Sequence, residues 1–130
     1  MKLLYPAIFY PCEDKKGYTV VIPDLKGCVT EGANLTDSIL MATDAASGWI
    51  LDELEDGKSI PKASDIKDVQ ADSDDGIVNL LILDIDEYAE KYGEKSVRKN
   101  ISIPAYMNTF IEKSGLSLSK ITQDAISHLL

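Results

Sequence analysis

Residues 96–104 of this 130-residue chain alternate in character one by one, and that alternation limits what the chain can become. Val97, Ile101 and Ile103 share one parity, while Arg98, Asn100 and Ser102 share the other. This is the period of a strand with one buried and one exposed face, broken only by Lys99. Pro104 then ends the strand in a way that suits the first turn of a helix. Two short helical patterns finish the chain. The first, over 104–114, has Met107, Phe110 and Ile111 as its apolar stripe, with Gly115 as the stop. The second is capped by Ser117 and places Ile121, Ala125, Ile126 and Leu129 at helical spacing. A lone strand is not stable in water, and neither helix can bury its stripe alone in so short a segment. No further strand follows, so the expected partner is the same strand of a second copy. The exposed parity offers a guanidinium, a carboxamide and a hydroxyl, side chains that read base edges in a DNA major groove. The alternative is a tail that only dimerises, with Asn100 and Ser102 merely solvated.

Charge divides the chain at the same place. Residues 1–92 hold 8 Lys and Arg against 19 Asp and Glu, a net of −11, whereas 93–130 hold 5 against 3, a net of +2. An acidic body repels nucleic acid and a mildly basic tail does not. The body's charge fits either simple solubility or a basic protein partner. An apolar share of 45% predicts a packed core, and no apolar run reaches the length of a membrane span. The N-terminus breaks at Pro6 before a signal-peptide core could form, so a cytoplasmic protein is expected. Cys12 and Cys28 have no CxxC spacing, and His128 is the only histidine, at the far end. This pattern predicts free thiols, no metal site and no cofactor, and gives His128 no catalytic role.

The body reads as strand, strand, strand, helix, strand, an α+β order. Strands are expected at 3–11, 17–23 and 28–31, the first at or near a sheet edge because Pro6 and Pro11 lack an N–H. The polar residues 13–17 suit a hairpin loop. Thr36 is the expected N-cap of a helix with Ile39, Ala42, Ala46, Trp49, Ile50 and Leu54 as its buried stripe. Its acidic end, Asp52, Glu53, Glu55 and Asp56, opposes the helix dipole, and Gly57 stops it. Residues 58–76 are expected to form a loop, 77–85 a central strand buried on both faces, and 86–93 a short helical turn.

Tyr5-Pro6-Ala7, Gly17-Tyr18, Pro23-Asp24-Leu25, Gly27-Cys28-Val29-Thr30-Glu31-Gly32 and Ile60-Pro61 occur in the order seen in HicB antitoxins, which the body resembles over roughly residues 4–61. Lys26 stands where that pattern usually has proline. The resemblance implies a degenerate, partial RNase H-like domain over 1–92 that blocks a HicA-type mRNA-cleaving toxin encoded beside it. It implies no enzymatic activity. Asp24, Glu31, Asp52 and Glu53 are the candidate toxin contacts, through charge complementarity to a basic ribonuclease. Asp24, Glu31 and Asp84 are the carboxylates that a residual Mg²⁺-dependent nuclease would have to gather. Strand, proline, helix, Gly-Leu-Ser-Leu-Ser, helix is similar to ribbon-helix-helix repressors over 96–130. Carried over by position, Arg98, Asn100 and Ser102 would face bases, and the backbone at Leu118 and Ser119 would hold a phosphate. Lys99 departs from that pattern, since its position should point inward; the ribbon could begin at Asn100. A helix-turn-helix tail, which other HicB proteins resemble, would need more helices than follow Pro104.

The expectation is an antitoxin and autorepressor with domains 1–92 and 93–130. It would bind operator double-stranded DNA as a homodimer, two dimers on neighbouring half-sites being natural. A transcriptional regulator without a toxin partner and a weak RNase H-like nuclease are the alternatives.

Overall fold

A computed structural model describes residues 1–93 and 96–130. The chain divides into two compact units, Lys2–Glu94 and Lys95–Leu130, the latter with Met1.

In the body, β1 (Lys2–Pro11), β2 (Tyr18–Val21), β3 (Val29–Gly32) and β4 (Ile77–Asp84) form an antiparallel sheet in the order β3-β2-β1-β4. Helix α1 (Leu35–Glu55) follows β3, and α2 (Ile85–Tyr92) follows β4 directly. The β-β-β-α-β order is as expected, but two strands exchange roles. β1 is central, paired with β2 and β4, and β4 is the edge.

Both prolines are tolerated in β1 because the neighbouring strands are staggered. Cys12 N–H donates to Gly17 O at 2.9 Å, so even-numbered residues of β1 direct their amides toward β2. Pairing with β2 begins only at Ile8, which leaves Pro6 beyond its reach. Pro11 has the parity that faces β4, where pairing stops at Phe9. Neither proline removes a ladder bond that a partner strand could have made. β4 is long and apolar, but Leu81 and Leu83 are buried while Leu80 and Ile82 are exposed. On its outer edge the Asn79 carboxamide accepts from Leu80 N–H at 2.8 Å, occupying one edge donor.

Tyr5, Ala7, Phe9, Val20, Leu81 and Leu83, all buried, share the sheet face that α1 covers. The buried stripe of α1 is Ser38, Ala42, Ala46, Ser47, Ile50 and Leu51. Ile39, expected in that stripe, is exposed, and Trp49 is half-buried. Small side chains let the helix approach closely: a Cβ on Gly32 would lie 2.3 Å from Ser38 N. The helix starts earlier than expected, with Asn34 rather than Thr36 as N-cap. Asn34 Oδ1 accepts from Asp37 N–H at 2.8 Å, and Asp37 Oδ2 accepts from Ala33 N–H at 2.9 Å, a reciprocal cap. Gly57, at φ 75°, ends it.

Residues 58–76 form the expected loop, with one 3-10 turn at Ile66–Asp68. The loop is held by its backbone: Tyr5 Oη donates to Pro61 O at 2.5 Å, and Asp72 N–H donates to Tyr10 Oη at 3.0 Å.

In the tail, α3 (Ala105–Ser114) begins after Pro104 and ends on Gly115 at φ 68°. Helix α4 (Leu118–Ser127) is capped by Ser117, whose hydroxyl accepts from Lys120 N–H at 3.2 Å. Both helices lie where the sequence places them. Residues 96–104 carry no regular secondary structure in the single chain. The ladder bonds that define a strand have no donor or acceptor strand there.

Candidate functional site

The most distinctive motif, residues 23–28, is a tight turn. Leu25 N–H donates to Ile22 O at 3.1 Å and Cys28 N–H to Leu25 O at 2.9 Å, while Gly27 takes φ 78°. Leu25 is buried in the core, and Trp49 Nε1 donates to Lys26 O at 3.1 Å, tying the turn to α1. Asp24 turns toward the loop: its carboxylate accepts from Ser64 N–H at 2.8 Å and Ser64 Oγ at 2.6 Å. That engagement gives Asp24 a structural duty.

The other candidate toxin contacts are dispersed. Glu31 is exposed on edge strand β3. Asp52 and Glu53 lie near the end of α1, and Asp52 lines a shallow groove with Cys28, Asp44, Gly48, Trp49 and Tyr88, which Asp24, Glu31 and Glu53 do not reach. Asp24, Glu31 and Asp84 are likewise not gathered. Asp84 caps α2 by accepting from Glu87 N–H at 3.1 Å, and among the described residues no group of three or more His, Cys, Asp or Glu is placed to hold a metal. Cys12 and Cys28 are free thiols, and burial pushes the Cys28 thiol up from its ordinary value. His128 Nδ1 lies 2.7 Å from Asp124 O in the last turn of α4.

A concave surface missed by sequence reasoning lies where α1, β4 and α2 meet. Leu40, Asp44, Ile82, Asp84, Tyr88 and Tyr92 line it. Tyr88 sits against α1, its hydroxyl occupying the space that a Cβ on Gly48 would take. The rings of Tyr88 and Tyr92 lie 4.8 Å apart, tilted by 45°. Burial raises the Tyr88 phenol, and the negative charge of Asp44 adds to it, followed by Tyr92 and Asp52. The available signal was the surplus of apolar residues around α1: Leu35, Ile39, Leu40 and Met41 are all exposed, more than one buried stripe can use.

In the tail, Arg98, Asn100, Ser102, Leu118 and Ser119 are all exposed, and Leu118 and Ser119 are the first residues of α4. Val97 and Ile101 are exposed too, as is Lys99, so a single chain does not separate the two parities of the segment. No residue described in 96–130 is buried.

Comparison with known proteins places these features in a family. Residues 5–125 match the profile of the HicB_like antitoxin of bacterial toxin-antitoxin systems. A 14.9 kDa protein from the rep-hol intergenic region of Haemophilus phage HP1 is 32% identical over 107 residues, covering 81% of this chain and 76% of that one. Among solved structures, a chain of the toxin–antitoxin complex from Streptococcus pneumoniae superposes with a TM-score of 0.63 at 22% identity, covering all of both chains. The Burkholderia pseudomallei antitoxin HicB gives 0.62 at 18% identity, covering 98% of each chain. The α+β fold is thus shared along the whole chain, and the profile spans body and tail alike: the chain belongs to the HicB-like antitoxins of bacterial toxin–antitoxin systems.

Proposed function

We propose that this chain is a non-enzymatic cytoplasmic antitoxin whose body, residues 1–92, binds and neutralises a HicA-type mRNA-cleaving toxin. Its tail, residues 93–130, dimerises as a ribbon-helix-helix and represses its own operon. The observation that carries this reading is the contrast between the two units. The body has a complete core, whereas Ile101, Met107, Phe110, Ile121 and Ile126 of the tail are exposed in the single chain. A tail of that kind becomes stable by covering its apolar side chains with those of a second copy. Pairing residues 96–104 of two copies would then give Ile101 and Ile103 an inner face and Asn100 and Ser102 an outer one. The body's β-β-β-α-β order is compatible with a partial RNase H-like fold that has turned from catalysis to binding.

The test uses the full chain. Co-purified with an inactive form of the protein from the adjacent reading frame, it is expected to hold that protein in fixed stoichiometry by native mass spectrometry. A chain that elutes alone removes the toxin reading and leaves a plain transcriptional regulator. For the tail, Asn100→Ala is expected to weaken operator binding by about 1–3 kcal/mol, the scale of one base contact. Unchanged affinity in both Arg98→Ala and Asn100→Ala removes the ribbon assignment.

A further inference from the structure

The concave surface between α1, β4 and α2 has a composition that singles out its occupant. Leu40, Ile82 and Tyr92 are 64%, 65% and 66% exposed, yet they line one groove. Single exposed apolar residues need no explanation, but several converging on one concavity mark a contact surface. Asp44, Asp84 and Glu87 line the same groove. Among the described residues its only lining cation is Lys91, which lies 3.6 Å from Glu87 in an ion pair within α2. The tilted faces of Tyr88 and Tyr92 add a surface that attracts cations.

We infer that this groove receives the toxin, and that its occupant is a basic, partly apolar segment of that protein, which places a Lys or Arg side chain against the tyrosine rings and the surrounding carboxylates. The inference rests on the toxin reading given above and names its site. Charge complementarity decides between occupants. A second copy of the body, itself at a net of −11, would bring acid against acid, while a basic segment finds partners for both its charge and its stem. Aromatic and aliphatic anchors within a polar rim are also the usual make-up of the residues that dominate an interface.

The experiment measures affinity between the full chain and the inactive adjacent-frame protein. Leu40→Lys with Asp44→Lys, and separately Ile82→Lys, are each expected to weaken binding by about 30-fold or more, the scale of a dominant interface residue. Glu13→Lys lies in the β1–β2 hairpin loop, at the end of β1 away from Asp84. Its charge change falls between those of the two groove variants, and it is expected to stay within about threefold, as befits a site outside the contact. Circular dichroism and the thermal midpoint of each variant verify the fold. In the unmodified chain the ring resonances of Tyr88 and Tyr92 are expected to shift on titration, a readout that needs no variant. Full affinity in both groove variants, or tyrosine resonances that do not move in a complex that forms, overturns the groove and leaves the toxin reading standing. An unmodified chain that binds nothing overturns both.

Discussion

At the scale of single residues, backbone geometry makes the sharpest predictions. A Cβ on Gly32 would meet Ser38 N at 2.3 Å and Ser38 Cα at 2.4 Å, both backbone atoms of α1. Gly32→Ala must therefore push the helix off the sheet, and a loss of about 3 kcal/mol or more is expected from the urea midpoint. Gly27→Ala meets nothing within 4 Å and suffers only from its positive φ, so about 1–2 kcal/mol is expected. The ordering of the two is the test. Tyr5 predicts a pH effect. Burial, then the charge of Asp24, raises its phenol above the ordinary 10.0. A raised folded value means that its stabilisation is complete below pH 10.0 and is lost as pH rises through the folded value. Tyr88 is raised too, so Tyr5→Phe is expected to flatten part of the alkaline fall in urea midpoint and leave the remainder. Gly27 could be read from the sequence because a turn after Pro-Asp needs a left-handed residue. Asp24 could not: its partner Ser64 is 40 residues away, and only the folded loop brings the two together.

At the scale of elements, each strand and helix was legible, but the roles of two strands were not. Pro6 and Pro11 read as signs of an edge, yet each sits where a staggered neighbour has already ended. The run over 77–85 reads as doubly buried because sequence counts apolar residues without knowing what covers them. In β4 the surplus, Leu80 and Ile82, faces outward. The same surplus on α1 added Ile39 and Trp49 to the expected stripe, whereas the packed face keeps Ala42, Ala46 and Ile50 and adds Ser38, Ser47 and Leu51. Small residues there carry a weak hydrophobic signal but permit close contact with β3. The groove lined by Leu40, Ile82 and Tyr92 was invisible for the same reason: it joins three elements and has no spacing in one dimension. The cap of α1 gives the prediction at this scale. Asn34→Ala removes the acceptor for Asp37 N–H and is expected to lower stability by about 1 kcal/mol by urea denaturation. Thr36→Ala, at the expected but unused cap, should change it by less than about 0.5 kcal/mol.

At the scale of the whole molecule, the two units differ in whether they have an interior. Phe110 is 63% exposed in the single chain and would become an anchor in the proposed pairing of two tails. Phe110→Asp is therefore expected to convert the chain from dimer to monomer in sedimentation velocity. The melting of the body should remain within about 0.5 kcal/mol of the parent, because that unit keeps its own core. A tail with no interior of its own also has a genetic consequence. On the proposed reading its DNA-reading form would be assembled from two chains, so at low supply, halving the number of chains would cut that form by about fourfold. A promoter repressed in that way would respond to dosage as a threshold, closing abruptly when antitoxin is plentiful and opening early when chains are degraded or withdrawn.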